Sequence, residues 1–138
     1  MGHWTTRVGC GLLLIVLATL GAGCRRSESA MTELQRIRSG NVDVVLLSGH
    51  DALRHGKDMF TIEFRSTSDG SLVDVGNVRT TANMPMPGMP MFGTIEVKRT
   101  DVPGRYTATS DFSMAGSWRM NISWDMPAGS IGFAGTVQ

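Results

Sequence analysis

From Gly40 onwards apolar residues recur at every second position, and this period most narrows the folds open to the chain. Phe60, Ile62 and Phe64 alternate with Thr61, Glu63 and Arg65, and Ile95 and Val97 with Thr94, Glu96 and Lys98. Trp118, Met120, Ile122 and Trp124 alternate with Arg119, Asn121 and Ser123, and Ile131 and Phe133 repeat the rhythm. Successive side chains of an extended strand point to opposite faces, so each run predicts one face on a core and one in water. Ser68-Asp69-Gly70, Pro103-Gly104 and Pro127-Ala128-Gly129 mark turns between runs. With Val42–Leu47, Leu72–Ala82 and Tyr106–Phe112 the count reaches about seven strands, and no long stretch of the domain has helical spacing. The fold predicted is all-β: an immunoglobulin-like antiparallel β-sandwich over 41–138, lacking a disulfide. Its aromatic core is expected to comprise Trp118, Trp124, Phe60, Phe64, Phe112 and Phe133.

The start of the chain reads as an address. Met1–Arg7 carries one firm positive charge, and an apolar run follows from Val8 to Leu20. That run is short for the ~30 Å of hydrocarbon in a bilayer and is soon broken by Gly21, Gly23, Arg25 and Arg26. A basic start, an apolar middle and small residues before the break make a secretory signal over 1–23. Leu20-Gly21-Ala22-Gly23-Cys24 resembles the bacterial lipobox, whose cysteine is lipidated and becomes the mature N-terminus, although Gly21 stands where Leu is commonest. The alternatives are an uncleaved anchor, or an ordinary signal with a chance cysteine. In the lipoprotein reading Cys10 leaves with the signal and no free thiol remains. Arg25, rather than Asp, after the cysteine favours the periplasmic face of the outer membrane, the inner membrane being the other destination. Residues 24–40, with only Leu34 and Ile37 as sizeable aliphatics, are expected to be a mostly flexible tether, a short helix being the alternative.

Thirteen Lys+Arg against twelve Asp+Glu leave no basic excess for a nucleic-acid partner. Two cysteines make neither a disulfide framework nor a four-thiolate zinc site. No Ser/His/Asp set, Walker-type loop or pair of catalytic carboxylates can be assembled, so no enzymatic activity is expected.

Methionine is the outlier, at ten residues, four of them in Met84-Pro85-Met86-Pro87-Gly88-Met89-Pro90-Met91. Pro87-Gly88 is the favoured central pair of a type II turn, proline setting φ and glycine accepting φ > 0. The turn sets Met86 beside Met89, Pro85 opposite Pro90 and Met84 opposite Met91. Alternation then gathers the four thioethers on one face of a hairpin, outward and open to solvent, and the prolines on the other. Proline cannot donate to a ladder, so the hairpin should project as a tip. Thioethers lose no proton on binding, and soft ligands select Cu(I), with Ag(I) expected to follow, over Zn(II), Mg(II) or Ca(II). The same methionines could instead form an adaptable apolar surface for a protein partner, or a flap packed over the sandwich.

Met114, in Phe112-Ser113-Met114-Ala115-Gly116, is either a fifth sulfur donor or a core residue. Met59 and Met126 read as packing, and Met120 as core. His50 and His55 could chelate Cu(II) but read first as solvated turn residues, with Asp51 as turn chemistry.

Four stretches together resemble the YtkA-like/FixH-like domain: Gly56…Phe60-Thr61-Ile62-Glu63-Phe64, Val75…Met84-Pro85-Met86, Pro103-Gly104-Arg105-Tyr106 and Phe112-Ser113-Met114-Ala115-Gly116-Ser117-Trp118. The resemblance covers about 40–138. It implies a bacterial envelope protein with an immunoglobulin-type sandwich, in a family with some members associated with copper handling or cytochrome oxidase assembly. The matching positions are Met84, Met86, Met89, Met91 and Met114. The His-plus-Met pattern of better-understood periplasmic copper chaperones is missing, which leaves coordination by sulfur alone. The function expected is a lipid-anchored Cu(I)-binding protein acting in copper transfer, efflux or oxidase assembly with an envelope partner. The alternative is a metal-free module docking its Met-Pro loop on a membrane efflux or assembly complex.

Overall fold

The computed structural model describes residues 30–138. The expected signal peptide over 1–23 and the candidate lipidation site Cys24 lie outside the described residues. Eight antiparallel strands follow one another: β1 (Thr32–Ser39), β2 (Val42–Ser48), β3 (Gly56–Ser66), β4 (Val78–Met84), β5 (Met91–Arg99), β6 (Arg105–Phe112), β7 (Gly116–Asp125) and β8 (Ala128–Val137). No helix occurs among the described residues. Hydrogen bonding runs in the order β1-β2-β3-β6-β5-β4-β7-β8, and β1 comes back near β8, so the sandwich is nearly closed.

The alternating runs do what their period demands. Along β7, Trp118, Met120, Ile122 and Trp124 are buried while Ser117, Arg119 and Asn121 are exposed. All six aromatic residues expected in the core are buried. Phe64 meets Tyr106 and Trp124 edge-on at 5.5 and 5.2 Å between centroids, and Phe112 lies 4.9 Å from Trp118. Such pairs each add about 0.5–1.5 kcal/mol beyond the apolar area they bury. On the outer face of β3 the buried carboxylate of Glu63 is held by Arg65 and Arg105, each donating from Nε at 2.8 Å. Burial of that charge is tolerable because it is paired.

Two expectations are corrected. Residues 32–39 are not tether but a full strand, which raises the count from about seven to eight. Leu34 and Ile37, an odd number of residues apart, both pack against the core because the β1–β2 register shifts between Glu33 and Gln35. A bulge adds one residue and so returns the alternation to phase. The second correction concerns 72–82. Leu72 makes only an isolated bridge to Arg65, and a regular strand begins at Val78. Between them Asp74 accepts the Gly76 N–H at 3.0 Å, and Gly76 turns with φ 75°. Tyr106 donates its hydroxyl to the Gly76 carbonyl at 2.7 Å, pinning this connection to the core.

Both corrections can be tested. A chain starting at Asn41 should lose roughly 1.5–3 kcal/mol relative to one starting at Ala30, since two half-buried aliphatics go with β1. It should also self-associate through the bared β2 edge, and urea melts with sedimentation would read both effects. The Gly76 amide, and then the Arg99 guanidinium bonded at 2.6 and 2.8 Å, hold the Asp74 carboxyl below its ordinary pKa. A depressed folded pKa makes this contribution complete above the unfolded carboxylate value and drains it as pH falls towards the folded one. The urea midpoint should therefore fall on acidification below about pH 5, given ordinary Asp values near 3.9. Asp74→Asn should lower the midpoint at pH 7 and converge with wild type at the acid end.

Candidate metal centre

One end of the sandwich gathers the methionines. The strand registers place there the end of β4, the start of β5, the 113–115 turn, and the 49–55 loop. β4 pairs with β5 over only three positions, Ala82 with Gly93, Asn83 with Phe92 and Met84 with Met91. Beyond them β4 follows β7 and β5 follows β6, so this hairpin is where the two layers of the sandwich join. The ladder stops at Met84 and Met91, with Pro85 and Pro90 as the next residues outward. A residue without an N–H cannot extend a ladder.

At the tip Met89 N–H donates to the Met86 carbonyl at 3.4 Å, and Gly88 has φ 79°. Both match the type II turn, whose third position sits near +80°. The pairing of Met84 with Met91 and the alternation of β4 and β5 turn both residues inward.

The environments of the five sulfur candidates differ steeply. Met84 is 8% exposed and belongs to the core, and Met91 is half-buried against it. Met86 is 43% and Met89 74% exposed, standing past the last aromatic layer. The thioethers therefore do not form a uniform outward surface. They run from core to solvent along one hairpin, because the sandwich ends at Trp118 while the hairpin continues for another turn.

The 113–116 turn, which carries Met114, lies beside this array. A side chain at Gly116 would put its Cβ 2.7 Å from Cε of Met84 and 3.7 Å from Sδ, so Met84 lies directly over the Gly116 backbone. Trp118 donates from Nε1 to the Met114 carbonyl at 3.1 Å, which fixes the turn against the core. Met114 itself is 40% exposed rather than core. Glycine is needed at 93 for a related reason, since Phe112 and Trp118 come within 2.9 and 3.1 Å of where a Cβ would sit. Gly93 leaves room for the indole, and the thioethers begin one step outward.

Met120 is core, whereas Met59, expected as packing, is exposed on the outer side of β3. Met126, in the β7–β8 turn, is exposed on one side and packs on Gly76 with the other, its Cε 3.0 Å from where a Cβ would sit. His55 bonds the Gln138 carbonyl through its N–H at 2.7 Å and Nδ1 at 3.0 Å, and His50 N–H donates to Ser48 Oγ. Both histidines thus serve the 49–55 loop. Among the described residues no three His, Cys, Asp or Glu side chains converge as a metal site.

Phe92 is the residue that sequence reasoning missed. It is 77% exposed on the outer face of the hairpin. The signal was present: the alternation that turns Ile95 and Val97 inward turns Phe92 outward, in step with Thr94, Glu96 and Lys98.

The gradient predicts unequal mutants. Met84→Ala should cost about 2–5 kcal/mol of stability, whereas Met89→Ala should stay within about 0.5 kcal/mol of wild type. Gly116→Ala should cost about 1–3 kcal/mol, because its φ of 141° strains an L-residue and the new methyl meets Met84. Chemical denaturation measures all three.

No curated protein and no solved structure matches the chain. The family model described as YtkA-like matches residues 38–123. That span holds both the methionine hairpin and the 113–116 turn and stops within β7. The chain belongs to the YtkA-like family.

Proposed function

We propose that this protein is a non-catalytic, lipid-anchored periplasmic protein that binds Cu(I) on its methionine hairpin and passes it to or from an envelope partner in transfer, efflux or oxidase assembly. The observation that carries this reading is the register setting Met84 opposite Met91, with Met86 and Met89 joined across the turn and the Met114 turn beside them. The thioethers of the hairpin and the 113–116 turn are donors that fit a soft, low-charge ion. Cu(I) and Ag(I) accept such ligands, and harder divalent ions do not. Met86, Met89 and Met114 would capture the ion at the surface, with Met91 and Met84 as the inner sulfurs. Exposed donors favour exchange over storage.

A second reading keeps the tip and drops the metal. Phe92 and Met89, both about three-quarters exposed, make an apolar prow suited to docking on a membrane efflux or assembly complex.

Titration of residues 25–138 with Cu(I) against a chromogenic chelator distinguishes the two. Replacing Met84, Met86, Met89 and Met91 by Leu keeps the grease and removes the donors. Affinity should then fall at least tenfold, about 1.4 kcal/mol, with a smaller loss for Met114→Leu. Copper affinity that is absent in the wild type or unchanged in the variant sinks the metal reading. Partner capture that survives the replacement supports the second. A Cys24→Ser chain should leave the membrane fraction.

A further inference from the structure

The end of the sandwich that carries the methionine hairpin is also the end at which the chain enters the domain. Thr32, the first residue of β1, pairs with Ser48, the last of β2. The 49–55 loop that follows reaches across to β8, with Leu53 bridging Val137. Val137 in turn pairs with Gly116, the residue under Met84. The opposite end holds the 40–41 turn, the 67–77 connection and the 100–104 and 126–127 turns.

We infer that the methionine end is the membrane-facing end: the short strap from Cys24 to Thr32 holds the 84–91 hairpin against the surface of the bilayer that carries the anchor. This rests on the lipoprotein reading of Cys24 given above. Thr32 stands eight residues after Cys24. At no more than ~3.6 Å per residue the strap spans at most about 29 Å when drawn straight. β7, which runs from this end to the other, has ten residues and a length of about 30 Å. To point the hairpin away from the membrane, the strap would have to run the whole flank of the domain at full extension. Conformational entropy opposes that, and no such cost attaches to the orientation with the hairpin down.

Surface chemistry agrees with the arithmetic. Met31, Met86, Met89, Phe92 and Met114 are exposed large apolar side chains at or beside this end, against Val102 and Met126 at the other. An apolar edge of this kind gains by settling into the headgroup boundary of a bilayer. The consequence for the proposed function is a restriction on the partner. The sulfur tip would meet a membrane-embedded protein, at the bilayer surface, rather than a soluble carrier arriving from the periplasm.

The test uses the full lipidated chain in vesicles of phosphatidylethanolamine and phosphatidylglycerol. A fluorophore is placed on Met89→Cys at the hairpin tip or on Asp101→Cys, exposed at the opposite end. Nitroxide on the lipid headgroups should quench the label at 89 several-fold more than the label at 101. Equal quenching, or stronger quenching at 101, overturns the orientation. Inserting about twenty Gly/Ser residues after Arg26 gives the strap a slack reach comparable to the domain, and the difference should shrink. A difference that persists undiminished overturns the strap as its cause. If the unlabelled lipidated chain and residues 25–138 partition alike between vesicle and buffer, it is the anchor reading that has failed.

Discussion

The indole of Trp118 is the contact on which the methionine end depends. It is fully buried against Phe112, in the space left by Gly93, and its N–H reaches out to the Met114 carbonyl. One side chain thereby fills the core beside the β4–β5 join and anchors the turn next to the hairpin. An indole that large needs a small residue beneath it, and Gly93 supplies it. With no bulk at that level, the hydrophobic wall is continued by thioethers one step further out.

The hairpin's form follows from two incompatible demands. Its inner face must continue the core as far as Met84 and Met91. Past them Pro85 and Pro90 forbid further ladder, so the chain leaves the sheet and turns at Pro87-Gly88. Methionine meets both demands, because a flexible, polarizable side chain packs adequately in the core and stays reactive in water. The outcome is a gradient of exposure along one hairpin rather than a flat array, with structural sulfurs at its base and accessible ones at its tip. A separate anchor, the Tyr106–Gly76 bond with Asp74 and Arg99 beside it, fixes the far end and leaves the methionine end free of that constraint.

Strands whose alternation is clean were legible from residues alone: Phe60–Arg65 of β3, Thr94–Lys98 of β5 and Trp118–Trp124 of β7 carry unbroken two-residue periods. β1 was not, since a bulge puts Leu34 and Ile37 out of phase and charged neighbours hide the strand. The 72–77 stretch misled in the other direction, because apolar Leu72, Val73 and Val75 are pinned by a turn and a tyrosine instead of a ladder. Within the site, turn chemistry announced the facing pairs of methionines. Burial of Met84 and the nearness of the 113–116 turn were not readable, because both depend on β4 pairing with β7 across the sandwich.

Local covalent chemistry, then, determined a great deal by itself: the period of two, the proline–glycine bend and the thioether donors act over a few neighbouring residues and need no distant partner. Tertiary structure alone decided which sulfurs are core and which are surface, that the 113–116 turn lies against the hairpin, and that chain entrance and sulfur tip share one end. Those are consequences of strand order and register, set by the packing of residues far apart in the chain, where no single segment carries the information.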